Sequence, residues 1–281
     1  MKLSEEHLLI REMAKKFASE RLLPTASARD KSSMFPSVEL SEMGALGLMG
    51  MLTPEQWGGS DVGHVGCAVA LEEIAAGDGA VSTIVSVHNS VGQTPIVDYG
   101  TAEQKELFLS PLATGAKIGA FALTEPHAGS NAADVKTRAV KEGNHFVLNG
   151  SKQFITSGHN GDVVIVFAVT NPDQGKRGMS AFIVPTDMPG YTVTRIEKKL
   201  GLRCSDTAQI TFDNMRLTPD LLLGKEGDGY KIALSNLEGG RIGIAAQSVG
   251  MARAAFEVAC DYAKDRTSFG DKIINHQAVG F

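Results

Sequence analysis

Cysteine is scarce in this chain. Cys67, Cys204 and Cys260 are scattered and form no C-x-x-C pair. That pattern speaks against a disulfide framework and fits a reducing compartment. Long apolar runs are also missing, and none approaches the ~20 residues of a membrane span. Nor is there a basic excess. The formal net charge of -5 gives no basic face for nucleic acid, although a local basic patch for phosphates stays open. The first residues, Met1 to His7, lead into an amphipathic segment and not into an apolar signal core. These absences point to a soluble protein of the bacterial cytoplasm, or of the mitochondrial matrix if a transit peptide has been removed. The 281 residues suffice for two or three structural units.

The periodicity changes twice along the chain. Residues 1–115 read as a helical unit. Ser4 is its first N-cap, and Leu9, Met13 and Phe17 follow at helical spacing. Pro24 is expected to end or follow that helix and Pro36 to open the next. A third helix is expected over 66–76, with Glu72 and Glu73 on its solvent face, and Thr101 caps a fourth. Residues 116–223 read as a β unit. Asn149-Gly150 is a hairpin signal. Val163 to Val169 is a continuous apolar run rich in β-branched residues, and Met179–Val184 and Ala208–Phe212 are further strands. From 224 the pattern is helical again to 281. Ile242, Val249, Phe256 and Ala263 recur every seven residues, with alanines nearby, which predicts one long helix packed along that seam and broken at Gly270. A further helix is expected from about Ile274.

The run that carries the chemistry is Phe121-Ala122-Leu123-Thr124-Glu125-Pro126-His127-Ala128-Gly129-Ser130. It leaves a strand and enters a small polar turn, where Pro126 fixes φ and Gly129 allows close backbone approach. Such a turn either only reverses the chain or aims N–H groups at an anion such as a pyrophosphate. The letters resemble the flavin-binding signature T-E-P-x-A-G-S-D of acyl-CoA dehydrogenases, with Asn131 in the place of the last Asp. Phe154-Ile155-Thr156 resembles the same family's W-I-T segment. Arg203-Cys204-Ser205-Asp206-Thr207 resembles one of its β-domain strands. Glu238-Gly239-Gly240-Arg241 resembles D-x-x-R, and Arg266 to Gln277 resembles R-x-x-F-G…Q.

The resemblance implies an α+β fold: a helical N-terminal domain, a central β-barrel or sandwich-like domain, and the start of a C-terminal helical bundle, short of the family's length. It implies FAD-dependent α,β-dehydrogenation of a fatty acyl-CoA thioester, with electrons passed to an electron-transfer flavoprotein. In that reading residues 121–130 and 154–156 hold FAD. Thr156 faces the flavin N5 edge, and Phe154 packs on the ring system. Phe154 is expected to be buried there, as it would be in an ordinary core. Ser130, Glu238 and Arg241 meet the acyl-CoA, and Arg266 and Gln277 reach the flavin of a partner subunit in a homodimer or homotetramer. The catalytic Glu is expected beyond residue 281, because Gly240 stands at the one family base position within this chain. The chain alone is therefore expected to be inactive.

Two other functions stay open on sequence: a non-catalytic flavin or acyl-CoA binding fragment, and an acyl-CoA oxidase-like relative. A metal is not expected, since neither His88 nor His127 has a second His or Cys at ligand spacing.

Overall fold

The computed structural model describes residues 2–281. Helix α1 (Glu5–Phe17) starts at Ser4, whose hydroxyl accepts from the His7 N–H while His7 Nδ1 accepts from the Ser4 N–H. The helix does not end at Pro24. It widens into a π turn at Ala18–Leu22, just ahead of the N–H that Pro24 lacks, and continues as α2 (Leu23–Ser32). Next come α3 (Ser37–Ala45) and α4 (Gly63–Gly77). Glu73 on α4 is buried, not on a solvent face, and it bonds Arg253 at 2.7 Å.

Asp78 then caps a helix that the sequence pattern conceals: α5 (Gly79–Val87), a π turn at His88–Gln93, and α6 (Thr94–Tyr99). Its Val, Ile, Ser and Thr are weak helix formers. It is buried nearly all round and has no charged residue between Gly79 and Val97 to mark a solvent face. Polar residues of the π turn tie neighbouring loops to it. Asn89 Oδ1 accepts from the Met51 N–H and Gln93 Nε2 donates to the Met49 carbonyl, each at 2.7 Å. Short helices α7 (Ala102–Gln104) and α8 (Ser110–Ala113) close the unit, with Thr101 as a cap. His88 joins the helices to the sheet. The Gly119 N–H donates to its Nδ1 at 2.9 Å, so Nε2 carries the proton given to the Leu112 carbonyl at 3.0 Å.

The middle of the chain is a mixed sheet. Strands β1 (Gly119–Ala122), β2 (Arg138–Glu142), β3 (His145–Thr156), β4 (Val163–Val169), β5 (Met179–Pro185), β6 (Tyr191–Ile196), β7 (Thr207–Leu217) and β8 (Leu222–Leu223) run in the order β6-β7-β3-β2-β4-β5-β8. β1 lies parallel to β4. Both β4 and β5 are buried almost throughout, as the continuous apolar run requires. Residues 203–206, expected as strand, form a loop, and the strand begins at Thr207.

Helix α9 (Gly229–Asp265) has 37 residues and is about 55 Å long. It packs against α4 and α5, but not by the expected seam. Ile242, Val249 and Phe256 are 46, 55 and 68% exposed, and only Ala263 of that heptad is buried. The buried side runs through Asn236, Gly243, Gln247 and Gly250, about a third of a turn away. Small residues win there because the backbones touch: a Cβ on Gly250 would lie 2.0 Å from the Glu72 carbonyl oxygen. Gln247 Nε2 bonds the Gly79 carbonyl and Thr83 Oγ1, both at 2.7 Å. α9 ends at Asp265, before Gly270. A tight hairpin follows, β9 (Thr267–Ser268) and β10 (Asp271–Lys272), turning through Phe269 and Gly270 at φ +54° and +82°. The last helix, α10 (Gln277–Gly280), starts later than expected.

Two outcomes follow. Gly250→Ala should destabilise the fold by about 2 kcal/mol, since overpacking outweighs the better helix propensity. Gly240→Ala should be neutral or stabilising by up to ~1 kcal/mol, because a Cβ there meets Val91 Cγ1 at an ordinary 3.4 Å. Urea denaturation of both variants checks this. Separately, burial pushes the His88 imidazole down to about 4 from 6.5. The unfolded chain then binds a proton that the folded one refuses. Stability should fall as pH drops from 6.5 towards 4, by roughly 3 kcal/mol over the window, and level off below it. The melting temperature of His88→Gln should lack that decline.

Candidate active site

Two segments meet at one end of the sheet. The 121–130 run leaves β1, and the end of β3 lies against it, with the Gln153 N–H donating to the Thr124 carbonyl at 2.9 Å. What fixes them together is a buried ion pair absent from the sequence reading. Lys152 Nζ donates to Glu125 Oε1 at 2.8 Å and to the Leu123 carbonyl at 3.0 Å. Glu125 also accepts from the backbone N–H groups of Lys136 and Thr137 at 2.7 and 3.0 Å. Its side chain is turned inward, so it is a brace and not a ligand contact. An inward carboxylate also avoids repelling a pyrophosphate. Burial pushes the Glu125 carboxyl up, but the Lys152 charge and these hydrogen bonds outweigh it and hold it below the ordinary value. Burial pushes the Lys152 ammonium down to about 8, against the opposing pull of Glu125.

The alternation of β3 contained the signal. Phe146, Leu148 and Lys152 share the buried face, and a lysine facing inward needs an inward anion. Past Lys152 the pairing with β7 slips by a bulge, between Lys152 and Ile155. Phe154 sits in that bulge at φ +61°, a left-handed conformation that disfavours a bulky side chain. Phe154 is 59% exposed, which corrects the reading of it as an ordinary core aromatic. Ile155 is buried and Thr156 half-buried beside it.

The rest of the run divides by exposure. Ala122, Leu123 and Ala128 are buried and can offer a ligand only backbone. Phe121 is half-buried, its ring centroid 4.8 Å from that of Phe167. Thr124 is half-buried, while Pro126, His127, Gly129 and Ser130 are exposed. His127 Nε2 lies 3.1 Å from the Asp134 carbonyl and 3.5 Å from Glu125 Oε2. The space over Gly129 is open, with nothing within 4 Å of where a Cβ would stand. The arrangement is a shelf: an outward aromatic ring, a half-buried hydroxyl, and an unobstructed glycine turn. An aromatic face and a clear backbone approach to an anion are the two requirements of a flavin dinucleotide, and the residues present meet both.

The other predicted residues lie apart from this shelf. Glu238 and Arg241 are exposed on α9, without an ion pair between them among the described residues. Glu238 lines a cleft of about 600 Å³ with His64, Asp98 and Asn236. Arg266 and Gln277 are exposed beyond the C-terminal end of α9.

Family models for the N-terminal, middle and C-terminal domains of acyl-CoA dehydrogenase match residues 4–116, 120–215 and 227–281. An acyl-CoA dehydrogenase of Bacillus subtilis is 47% identical over the whole chain, which covers 74% of that protein. A short-chain specific mitochondrial acyl-CoA dehydrogenase of Bos taurus is 41% identical, again over the whole chain, which covers 68% of it. The solved butyryl-CoA dehydrogenase from Megasphaera elsdenii superposes with a TM-score of 0.96 at 38% identity; this chain is matched throughout and covers 74% of that structure.

Removing one ion-pair partner should be far worse than removing both. Lys152→Met leaves Glu125 buried and unpaired, at a cost of about 3–5 kcal/mol, while Lys152→Met with Glu125→Gln should recover part of that. Because Glu125 is held below 4.5, its contribution is complete above the unfolded value and drains as pH falls through the folded one. Urea titrations between pH 7 and pH 3 read both effects. A double variant as weak as Lys152→Met would contradict the pairing.

Proposed function

This chain belongs to the acyl-CoA dehydrogenase family, and we propose that the shelf of residues 121–130 and 154–156 is its flavin site. The function is FAD-dependent α,β-dehydrogenation of an acyl-CoA thioester to the trans-2-enoyl-CoA, with electrons passed to an electron-transfer flavoprotein. The observation that carries the assignment of residues is Phe154. A phenylalanine held outward in a strained left-handed bulge, between a buried ion pair and a half-buried threonine, has no packing purpose of its own.

In this reading the chain's own groups have separate tasks. FAD, when bound, takes up the hydride that leaves the substrate β-carbon. Phe154 offers its ring to the flavin's face, and the Thr156 hydroxyl offers a hydrogen bond at the flavin N5 edge. The Gly129–Ser130 turn presents backbone N–H groups and the Ser130 hydroxyl to the pyrophosphate and to the substrate's pantetheine arm. Glu238 and Arg241 take the CoA. Arg266 supplies a planar fork for a phosphate, and with Gln277 it does so in a second copy. The exposure of both residues supports a homo-oligomer. Units of 1–115, 116–223 and 224–281 follow the alternation of helical, strand and helical segments. We place the chain in the bacterial cytoplasm or mitochondrial matrix; none of its described helices is long and apolar enough to cross a membrane.

The α-proton of the thioester needs a positioned carboxylate. Glu125 is engaged by Lys152, and the residue before Arg241 is Gly240. No described carboxylate is placed on the shelf, so we place the base outside these residues. The chain is expected to bind FAD yet to give no useful turnover, since general-base catalysis alone is worth ~10²–10⁴-fold.

A butyryl- to palmitoyl-CoA panel with a dye acceptor tests this, on the chain and on a form extended to the family's length. Equal turnover by both would place the base within these residues. Arg266→Ala should weaken FAD retention roughly 10- to 150-fold, the worth of one charge-assisted hydrogen bond. Unchanged affinity would remove Arg266 from the site.

A further inference from the structure

Thr156 is followed by a turn that the β-sheet does not itself hold. Ser157 adopts φ +56°, so the half-buried Thr156 and its buried neighbour Ile155 are bracketed by two left-handed residues, Phe154 and Ser157. The Lys152–Glu125 pair secures the Phe154 side. On the other side one carboxylate does the equivalent work. Asp206 is 7% exposed, and its Oδ1 accepts from the His159 N–H at 3.0 Å. Its Oδ2 accepts from Asn160 Nδ2 at 2.9 Å and from the Asn160 N–H at 3.4 Å. The Asp206 carbonyl takes the Ser157 N–H at 3.1 Å. One residue thus takes up the polar groups of the turn at both its ends. Tyr191 closes the middle, its hydroxyl donating to the Gly158 carbonyl at 2.7 Å.

Asp206 is itself anchored from the helical side. Three residues earlier in the same loop, the Arg203 N–H donates to Asp30 Oδ1 at 2.8 Å and Arg203 Nε to Asp30 Oδ2 at 3.1 Å. Asp30 belongs to α2. Residues 203–206 are therefore a strap from the helical unit to the end of β3, and their irregular backbone is what lets both ends be reached.

We propose that Asp206 is the positioning residue for Thr156: it fixes the turn after Thr156 so that the hydroxyl stays aimed at the flavin N5 edge, and the 203–206 strap transmits the placement of α2 to it. This rests on the reading of Thr156 given above. Asp206 touches neither cofactor nor substrate in this scheme. Its effect is on how well reduced flavin is held relative to oxidised, because a hydrogen bond at N5 favours the reduced ring.

The experiment is a double-mutant cycle on the FAD-loaded full chain, read by the two-electron midpoint potential of the bound flavin. Amide hydrogen exchange of residues 157–160 is the second readout. Asp206→Asn keeps the shape but loses one acceptor and the charge. It should speed exchange at 157–160 while leaving Val163–Val169 protected. It should also disfavour the reduced flavin by roughly tenfold, which a two-electron couple reads as about 30 mV more negative. Thr156→Val should shift the potential in the same direction, and adding Asp206→Asn to it should shift it little further. A Thr156→Val potential equal to the parent's would overturn the Thr156 reading itself. A shifted Thr156→Val with an unshifted Asp206→Asn would overturn only the role of Asp206, as would full additivity of the two. Should Asp206→Asn fail to fold, Asn160→Ala removes a single donor from an exposed residue. It should move the potential the same way by less, and an unmoved potential there would equally overturn the proposal.

Discussion

The Glu125–Lys152 ion pair is the constraint on which the site depends. Sheet pairing alone does not join the turn after β1 to the end of β3. Besides the Gln153–Thr124 backbone bond, the two are held by the 2.8 Å ion pair inside the protein and by the bond from Lys152 to the Leu123 carbonyl, while the Lys136 and Thr137 N–H groups hold Glu125 itself. Burying both charges is costly unless each finds several partners. Here Glu125 has three donors and Lys152 two acceptors, so the pair tolerates burial and in return locates one segment on the other. Everything presented outward, the Phe154 ring and the Gly129 turn above all, is placed by groups that face inward.

The same division of labour recurs where the helices meet the sheet. His88 is neutral, fully enclosed and bonded through both ring nitrogens to Leu112 and Gly119. β1 thus begins at a point set by the buried helix α5–α6. At the other end of the site, the Asp30–Arg203 contact gives the loop before β7 an attachment to α2. The strand that carries Thr156 is therefore referred to the helical unit at more than one point. Such a frame suits chemistry in which two substrate carbons must be held in place at once.

Much of this could be read from the sequence, and the failures have definite causes. The apolar run 163–169 was legible because a strand buried on both faces has no other way to look. Ser4 and Thr101 were legible because capping is local. The helix at 79–99 was not, since a helix buried nearly all round has no charged face to mark it and its β-branched residues mimic strand. The packing side of α9 was misjudged because close backbone approach selects glycine, which a hydrophobic heptad search passes over; the apolar residues it finds, Val249 and Phe256, face outward. The motifs singled out residues 121–130 and 154–156, yet they gave no hint of Phe154's exposure, which comes from a one-residue bulge. Nor did they mark Lys152 and Asp206, whose partners lie 27 and 46–47 residues away.

The helical unit widens into a π turn three times, at 18–22, 88–93 and 105–109. A π turn is what an α-helix becomes when it absorbs one surplus residue. Losing a residue from 88–93 would restore a regular helix and leave the turns beyond it nearly in phase, since the bulge had taken up the surplus. What would be lost is local: the widened turn from which Asn89 and Gln93 reach the Met51 N–H and the Met49 carbonyl. In an alignment of this chain with another protein, 88–93 is therefore a physically reasonable place for a one-residue gap.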